Sequence, residues 1–221
     1  MCGSIAAANF NDCKEPVNTW IVNQFEDQKS RGTQGFGLVT VDDEGKYNVL
    51  RATEPVKALL DLYLSTSKFI MFHHRMPTSS ENKLKQTHPI FVDHKDFKHT
   101  YLVIHNGVMH NERELKPVHE AEGFNYTTEY QEYENYFKFN DSETIAIELA
   151  KFIEGKSTTI NAQGSAALVA LQISKTTTKV EQIFFVRNGT APLNMSMKQN
   201  QFRISSEGPG ELIKVDTLYS C

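Results

Sequence analysis

The apolar residues of this chain come in short runs of strand length, and that limits the folds open to it. Lys68-Phe69-Ile70-Met71-Phe72 is representative. Such runs are far shorter than the ~18–20 residues needed to cross a bilayer, so no membrane span is expected. Strands are predicted at Ser4 to Ala8, Phe36 to Val41, Lys46 to Arg51, Phe69 to Arg75, Ile90 to Val92 and Tyr101 to Ile104. The last third is again strand-rich: Ala166 to Ile173, Val180 to Arg187, Leu193 to Lys198 and Phe202 to Ser205. Helical spacing appears between these groups. Pro16 stands near the start of one stripe (Val17, Trp20, Ile21, Phe25), and Pro55 starts another (Val56, Leu59, Leu60, Tyr63). Glu112 to Glu122 reads as a short helix ended by Gly123, and Asn140 or Asp141 caps a stronger one carrying Ile145, Leu149 and Phe152. A final short helix is expected near Gly210, and Phe124 to Phe139, crowded with tyrosine and glutamate, as an exposed irregular loop. Strands at both ends with helices between favour antiparallel sheets covered by helices over alternating βα units.

With 221 residues, one domain with a sizeable core is expected. A hydrophobic fraction of 39%, a charged fraction of 23% and a formal charge of −4 give no basic footprint for nucleic acid and no polybasic membrane patch. Cys2, Cys13 and Cys221 are too scattered for a disulfide framework or a zinc site. A reducing, cytoplasmic setting without a signal peptide is therefore expected, with neither metal nor organic cofactor.

The chemistry begins at the first residues, Met1-Cys2-Gly3. Initiator methionine is trimmed before small residues, and trimming would leave Cys2 with a thiol and a free α-amine, a nucleophile and a base in one residue. Four further stretches are candidates. His74-Arg75-Met76-Pro77-Thr78-Ser79 places an arginine at a strand end, where it can hold a carboxylate bidentately. In His105-Asn106-Gly107, a side-chain amide and a glycine N–H can converge on a developing oxyanion, although Asn-Gly is also a common tight turn. Asn140-Asp141-Ser142-Glu143 opens a helix, where an aspartate can serve as a cap or as a ligand for an ammonium group. Arg31-Gly32 to Gly35-Phe36-Gly37 ends a helix with glycines that permit close backbone approach.

Taken in order, these motifs resemble the class II glutamine amidotransferase domain, an N-terminal-nucleophile glutaminase, most in the manner of the glutaminase domain of glucosamine-6-phosphate synthase. The likeness continues through Thr87-His88-Pro89, Gly164-Ser165-Ala166-Ala167, Arg187-Asn188-Gly189 and Ser205-Ser206-Glu207. It departs at Met76 and Ser79, where the synthase branch usually has tryptophan and histidine. The resemblance implies an α+β fold, a four-layer αββα sandwich of two antiparallel sheets covered by helices. It implies Cys2 as nucleophile toward L-glutamine, Asn106 and Gly107 as the oxyanion hole, and Arg75, Thr78 and Asp141 as substrate-binding residues, with Arg31 and His88 in support. One domain over 2–221, without a synthetase region, is expected, so that ammonia goes to a separate synthetase or amidoligase. A γ-glutamyl amide hydrolase of the same fold, or a catalytically silent glutamine-sensing module, are the alternative readings.

Overall fold

The structure, a computed structural model, describes residues 2–9, 17–54, 67–76, 81–134 and 136–221. The helix expected from Pro55, and Thr78 with its neighbours, lie outside the described residues. The first third holds β1 (Gly3–Asn9), α1 (Val17–Gln28), β2 (Phe36–Val41), β3 (Tyr47–Ala52) and β4 (Phe69–His74). The middle holds β5 (Ile90–Val92), β6 (His99–Met109), α2 (Glu112–Glu122), β7 (Tyr130–Tyr133), β8 (Tyr136–Lys138) and α3 (Asp141–Ile153). The last third holds β9 (Gly164–Ser174), β10 (Val180–Arg187), β11 (Asn194–Lys198), β12 (Gln201–Ser205), β13 (Glu211–Leu212) and β14 (Tyr219–Ser220).

These strands build two antiparallel sheets, in the orders β13-β11-β12-β1-β4-β2-β3 and β14-β10-β9-β6-β5, beside a small β7-β8 hairpin. Alternation along each strand decides the layering. Ala6, Val39, Met71, Leu102, Ile104, Val169 and Leu171 point inward and form the core between the sheets. Their neighbours Ile5, Phe36, Ile70 and Phe72 face outward and pack under Trp20, Ile21 and Phe25 of α1. On the other side Tyr101, Val103, Leu168 and Ala170 meet Ile145, Ala146 and Leu149 of α3. The result is helix, sheet, sheet, helix, the αββα order expected. All six residues of β4 are buried, because its strand is covered on both faces.

Three expectations are corrected. Strand β6 does not stop at Ile104 but runs on to Met109, so His105-Asn106-Gly107 is strand paired with β9 rather than a turn or a strand end. Phe124 to Phe139 is not a plain exposed loop: Phe124, Tyr126, Thr128 and Tyr130 are buried, alternating with exposed residues such as Asn125 and Thr127, and Tyr133 and Phe137 of the β7-β8 hairpin are exposed. Thr127 and Thr128 anchor this segment by giving four hydrogen bonds, two from backbone and two from hydroxyls, to the Glu143 carboxylate. The region near Gly210 forms β13 against β11 instead of a helix, and no helix occurs among the described residues after Ile153. No helix among the described residues is long and apolar enough to cross a membrane.

Helix α2 is joined to α3 by a buried polar contact as well as by apolar packing. Glu148 accepts hydrogen bonds from His119 Nε2 (3.0 Å), Lys151 Nζ (3.1 Å) and the Asn161 N–H (2.7 Å). Burial alone would raise its carboxyl pKa, but these donors outweigh it and hold the group down at about 2 from an ordinary 4.5. The group therefore contributes stability above about pH 4.5 that is lost as pH falls toward 2. Glu148→Gln should flatten the acid limb of a Tm-against-pH curve; an unchanged limb would assign acid unfolding to other groups. Leu171→Ala, a truncation between the sheets, should lower the urea-unfolding free energy by about 2–5 kcal/mol. A loss well under that range would mean that the two inner faces do not close on each other.

Candidate active site

The site grows from the end of β1. Gly3 is paired with His74 across the β1-β4 ladder, which sets Cys2 beside the chain leaving β4. The Met76 N–H donates to Cys2 Sγ at 3.3 Å, and the thiol lies 3.6 Å from the Met76 carbonyl. Arg31 Nε donates to the Cys2 carbonyl at 3.0 Å, while its guanidinium also pairs with Glu207. Arg31 closes a 3-10 turn after α1, and Gly32 lets that turn press on the end of β4. A Cβ at Gly32 would stand 2.6 Å from the backbone carbons of His74 and Arg75, which confirms the close approach expected of this glycine run.

Burial pushes the Cys2 thiol pKa up, and nearby Asp141 adds to the rise. The Met76 N–H and the Arg75 charge oppose it by favouring the thiolate. Arg75 is buried as well. Its N–H is held by the Gly35 carbonyl (2.9 Å) and its Nη1 by the Glu81 carbonyl (2.9 Å). Burial lowers the guanidinium pKa, and the Cys2 and Asp141 charges pull it back up.

Strand β6 brings in Asn106 and Gly107. A Cβ on Gly107 would overlap the Ser165 carbonyl of β9 and stand 2.6 Å from His105 Nε2, so no other residue fits there. Asn106 Nδ2 donates to Ser206 Oγ (3.2 Å), the same oxygen that accepts the Ser4 N–H (3.1 Å); the Ser206 N–H in turn donates to the Ser4 carbonyl (2.9 Å). One serine thus joins β6 to the strand that carries Cys2.

The first turn of α3 divides its labour. Asn140 is the cap, its Oδ1 accepting the Ser142 N–H at 3.0 Å while its Nδ2 donates to the Gln86 carbonyl at 2.8 Å. With the cap taken by Asn140, the Asp141 carboxylate turns to β6 and accepts the Met109 N–H at 2.9 Å. Ser142 Oγ bonds His105 Nδ1 at 2.9 Å, and Glu143 holds the Thr127-Thr128 backbone.

Cys2, Arg75, His88, His105, Gly107 and Asp141 line one small cavity. Two of the expected residues adjoin this lining without being part of it: Asn106, next to Gly107 in β6, donates to Ser206, and Arg31 donates to the Cys2 carbonyl. Thr78 lies outside the described residues. Motif reading gave no role to Ser4, Ser206, His73 or His105. Ser206 and His105 sit inside the quoted motifs, whereas the two consecutive histidines closing apolar β4 are the only signal for His73. Among the described residues, no group of three or more His, Cys, Asp and Glu side chains is placed to hold a metal ion.

No family model matches the chain. Curated relatives do. The chain is 24% identical over 142 residues to a glutamine–fructose-6-phosphate aminotransferase (isomerizing) of Encephalitozoon cuniculi, a match covering 58% of this chain and 20% of that protein. It is 28% identical over 120 residues to an amidophosphoribosyltransferase of Pasteurella multocida, covering 52% of this chain and 22% of that one. The matched part is thus about a fifth of each relative's length. Among solved structures, the glutamine phosphoribosylpyrophosphate amidotransferase of B. subtilis superposes with a TM-score of 0.61 at 15% identity, over 93% of this chain and 42% of that one. A glutamine aminotransferase class-II domain protein from Silicibacter pomeroyi gives a TM-score of 0.54 at 14% identity, over 99% of this chain and 94% of its own. The solved structures share the fold, and the sequence relatives bear out the resemblance to the class II glutamine amidotransferase domain that the motifs carry.

Proposed function

We propose that this chain hydrolyses the side-chain amide of L-glutamine to glutamate and ammonia through a thioester on Cys2. The observation that carries this reading is convergence: Cys2, Arg75, Gly107 and Asp141 come from four separated stretches of sequence and line one cavity. Removal of Met1 frees the Cys2 α-amine, whose ordinary pKa of about 7.7–8.0 lies close to that of a thiol at about 8.5. Burial raises the thiol, so its proton moves to the amine as sulfur attacks rather than beforehand. The amine then hands the proton to departing ammonia.

Arg75 takes the substrate α-carboxylate and Asp141 its α-ammonium, a pair of opposite charges that selects a free amino acid over a peptide. An amide nitrogen carries two hydrogens. The one that Asn106 gives to Ser206 fixes the side chain, and the second serves the oxyanion together with the Gly107 N–H. Arg31 steadies the Cys2 backbone, and Thr78 contributes to binding glutamine. In this reading residues 2–221 form one glutaminase domain working in the cytoplasm, and the ammonia passes to a separate synthetase or amidoligase.

Intact mass of the expressed protein should show loss of one methionine, and Cys2→Ala should end ammonia release while calorimetry still records glutamine binding. Retained Met1 in an active preparation, or ammonia release by the alanine variant, would refute the mechanism. Asn106→Ala should lower kcat by about 10²–10³ with little change in KM, whereas Arg75→Lys should chiefly raise KM. Full turnover in the Asn106 variant would remove it from the oxyanion hole.

A further inference from the structure

His88 is 2% exposed, and among the described residues neither of its ring nitrogens has a hydrogen-bond partner. It nonetheless forms part of the wall of the Cys2 cavity. A buried imidazole that leaves both polar atoms unmatched is costly unless something in the cavity meets them. Its position is tightly set. A Cβ at Gly37 of β2 would overlap the His88 carbonyl, so β2 lies directly against the His88 backbone. The ring packs against that of His73 with centroids 3.9 Å apart and planes tilted by 41°, and His73 Nε2 is bound to the His105 carbonyl at 2.9 Å.

The other histidine of the cavity is committed. A carbonyl can only accept, so His105 Nε2–H donates to Ser165 (3.2 Å) and its Nδ1 accepts from the Ser142 hydroxyl (2.9 Å). Burial first, then the neighbouring His73, His105, Arg75 and Arg51, holds the His88 pKa well below the usual imidazole value. The ring is therefore neutral, with one donor and one acceptor nitrogen. The cavity of about 10 Å³ has room for about one water molecule.

We propose that His88 is a positioning residue that holds the water which hydrolyses the Cys2 thioester. This rests on the glutaminase reading above. In the step, the water oxygen bonds to the acyl carbon and the carbon–sulfur bond breaks. One water proton passes through the α-amine to Cys2 Sγ, and the other leaves as the new carboxyl group ionises. His88 is unchanged at the end, because it only orients the water through a hydrogen bond. Acylation does not use this water, so the two half-reactions depend on His88 unequally.

The test has two parts. A high-resolution crystal structure of the trimmed wild-type protein should place a water within hydrogen-bond distance of a His88 ring nitrogen and beside Cys2. A dry His88 overturns the proposal whatever the activity. In kinetics with glutamine, His88→Leu should lower kcat and KM together by about tenfold, the value of one lost hydrogen bond, leaving kcat/KM near wild type. Quenched samples should then contain the Cys2 γ-glutamyl thioester by mass spectrometry, and His88→Gln should restore much of kcat. A fall in kcat/KM without thioester accumulation overturns the proposal and leaves the glutaminase reading standing. Trimmed wild type that releases no ammonia from glutamine defeats that reading, and with it the hydrolytic role of the water.

Discussion

The pairing of β1 with β4 is the constraint on which the site depends. In the observed antiparallel register Gly3 faces His74, so the residue before Gly3 meets those after His74: Cys2 lies against the backbone of Met76 and close to Arg75. A slip of one residue would turn Ile5 and Ala7 from the α1 side to the inter-sheet side and carry Cys2 away from the Met76 N–H. Register is therefore enforced by the same burial that holds the sheet. Both faces of these strands are covered, so every alternative pairing would place the wrong side chains in each layer.

The second sheet is locked to this frame by polar contacts as well as by the core. Ser206 joins the backbone of Ser4 to the side chain of Asn106, and Asp141 and Ser142 join α3 to Met109 and His105 of β6. The cavity thus sits where one strand end, a mid-strand glycine and a helix start meet. Strand β6 and the first turn of α3 supply His105, Gly107 and Asp141, while Cys2, Arg75, Met76 and His88 stand in the segments just outside β1, β4 and β5. Burial of the thiol works against a resting thiolate, and the Met76 N–H and Arg75 charge partly offset that.

Much of this was legible in sequence, for identifiable reasons. Strands such as β4 and β9 read clearly because burial on both faces leaves a continuous apolar run. The extension of β6 did not. His105-Asn106-Gly107 looks like a strand end because its residues are polar or turn-forming, yet each is satisfied within the fold: His105 by Ser142 and Ser165, Asn106 by Ser206, and Gly107 by its fit under the Ser165 carbonyl. The tyrosine-rich segment looks like an exposed loop for the same kind of reason, since Glu143, distant in sequence, supplies the acceptors that satisfy Thr127 and Thr128 and let Thr128 be buried. The ordered motifs pointed to Cys2, Arg75, Gly107 and Asp141, but the serine bridge from Ser4 to Asn106 and the packing of the His88 ring against His73 depend on contacts between segments apart in sequence that no local pattern records.

The central claim is that Cys2 is a nucleophile placed by a clamp for free glutamine. It is tested most directly with a glutamine analogue whose carboxamide is replaced by an electrophilic diazoketone. Incubated with Met1-trimmed protein and mapped by peptide mass spectrometry, it should label Cys2 at one equivalent per chain, and excess glutamine should prevent the labelling. Labelling at Cys221 or Cys13 with Cys2 untouched, or labelling of Cys2 that glutamine does not slow, would contradict the account.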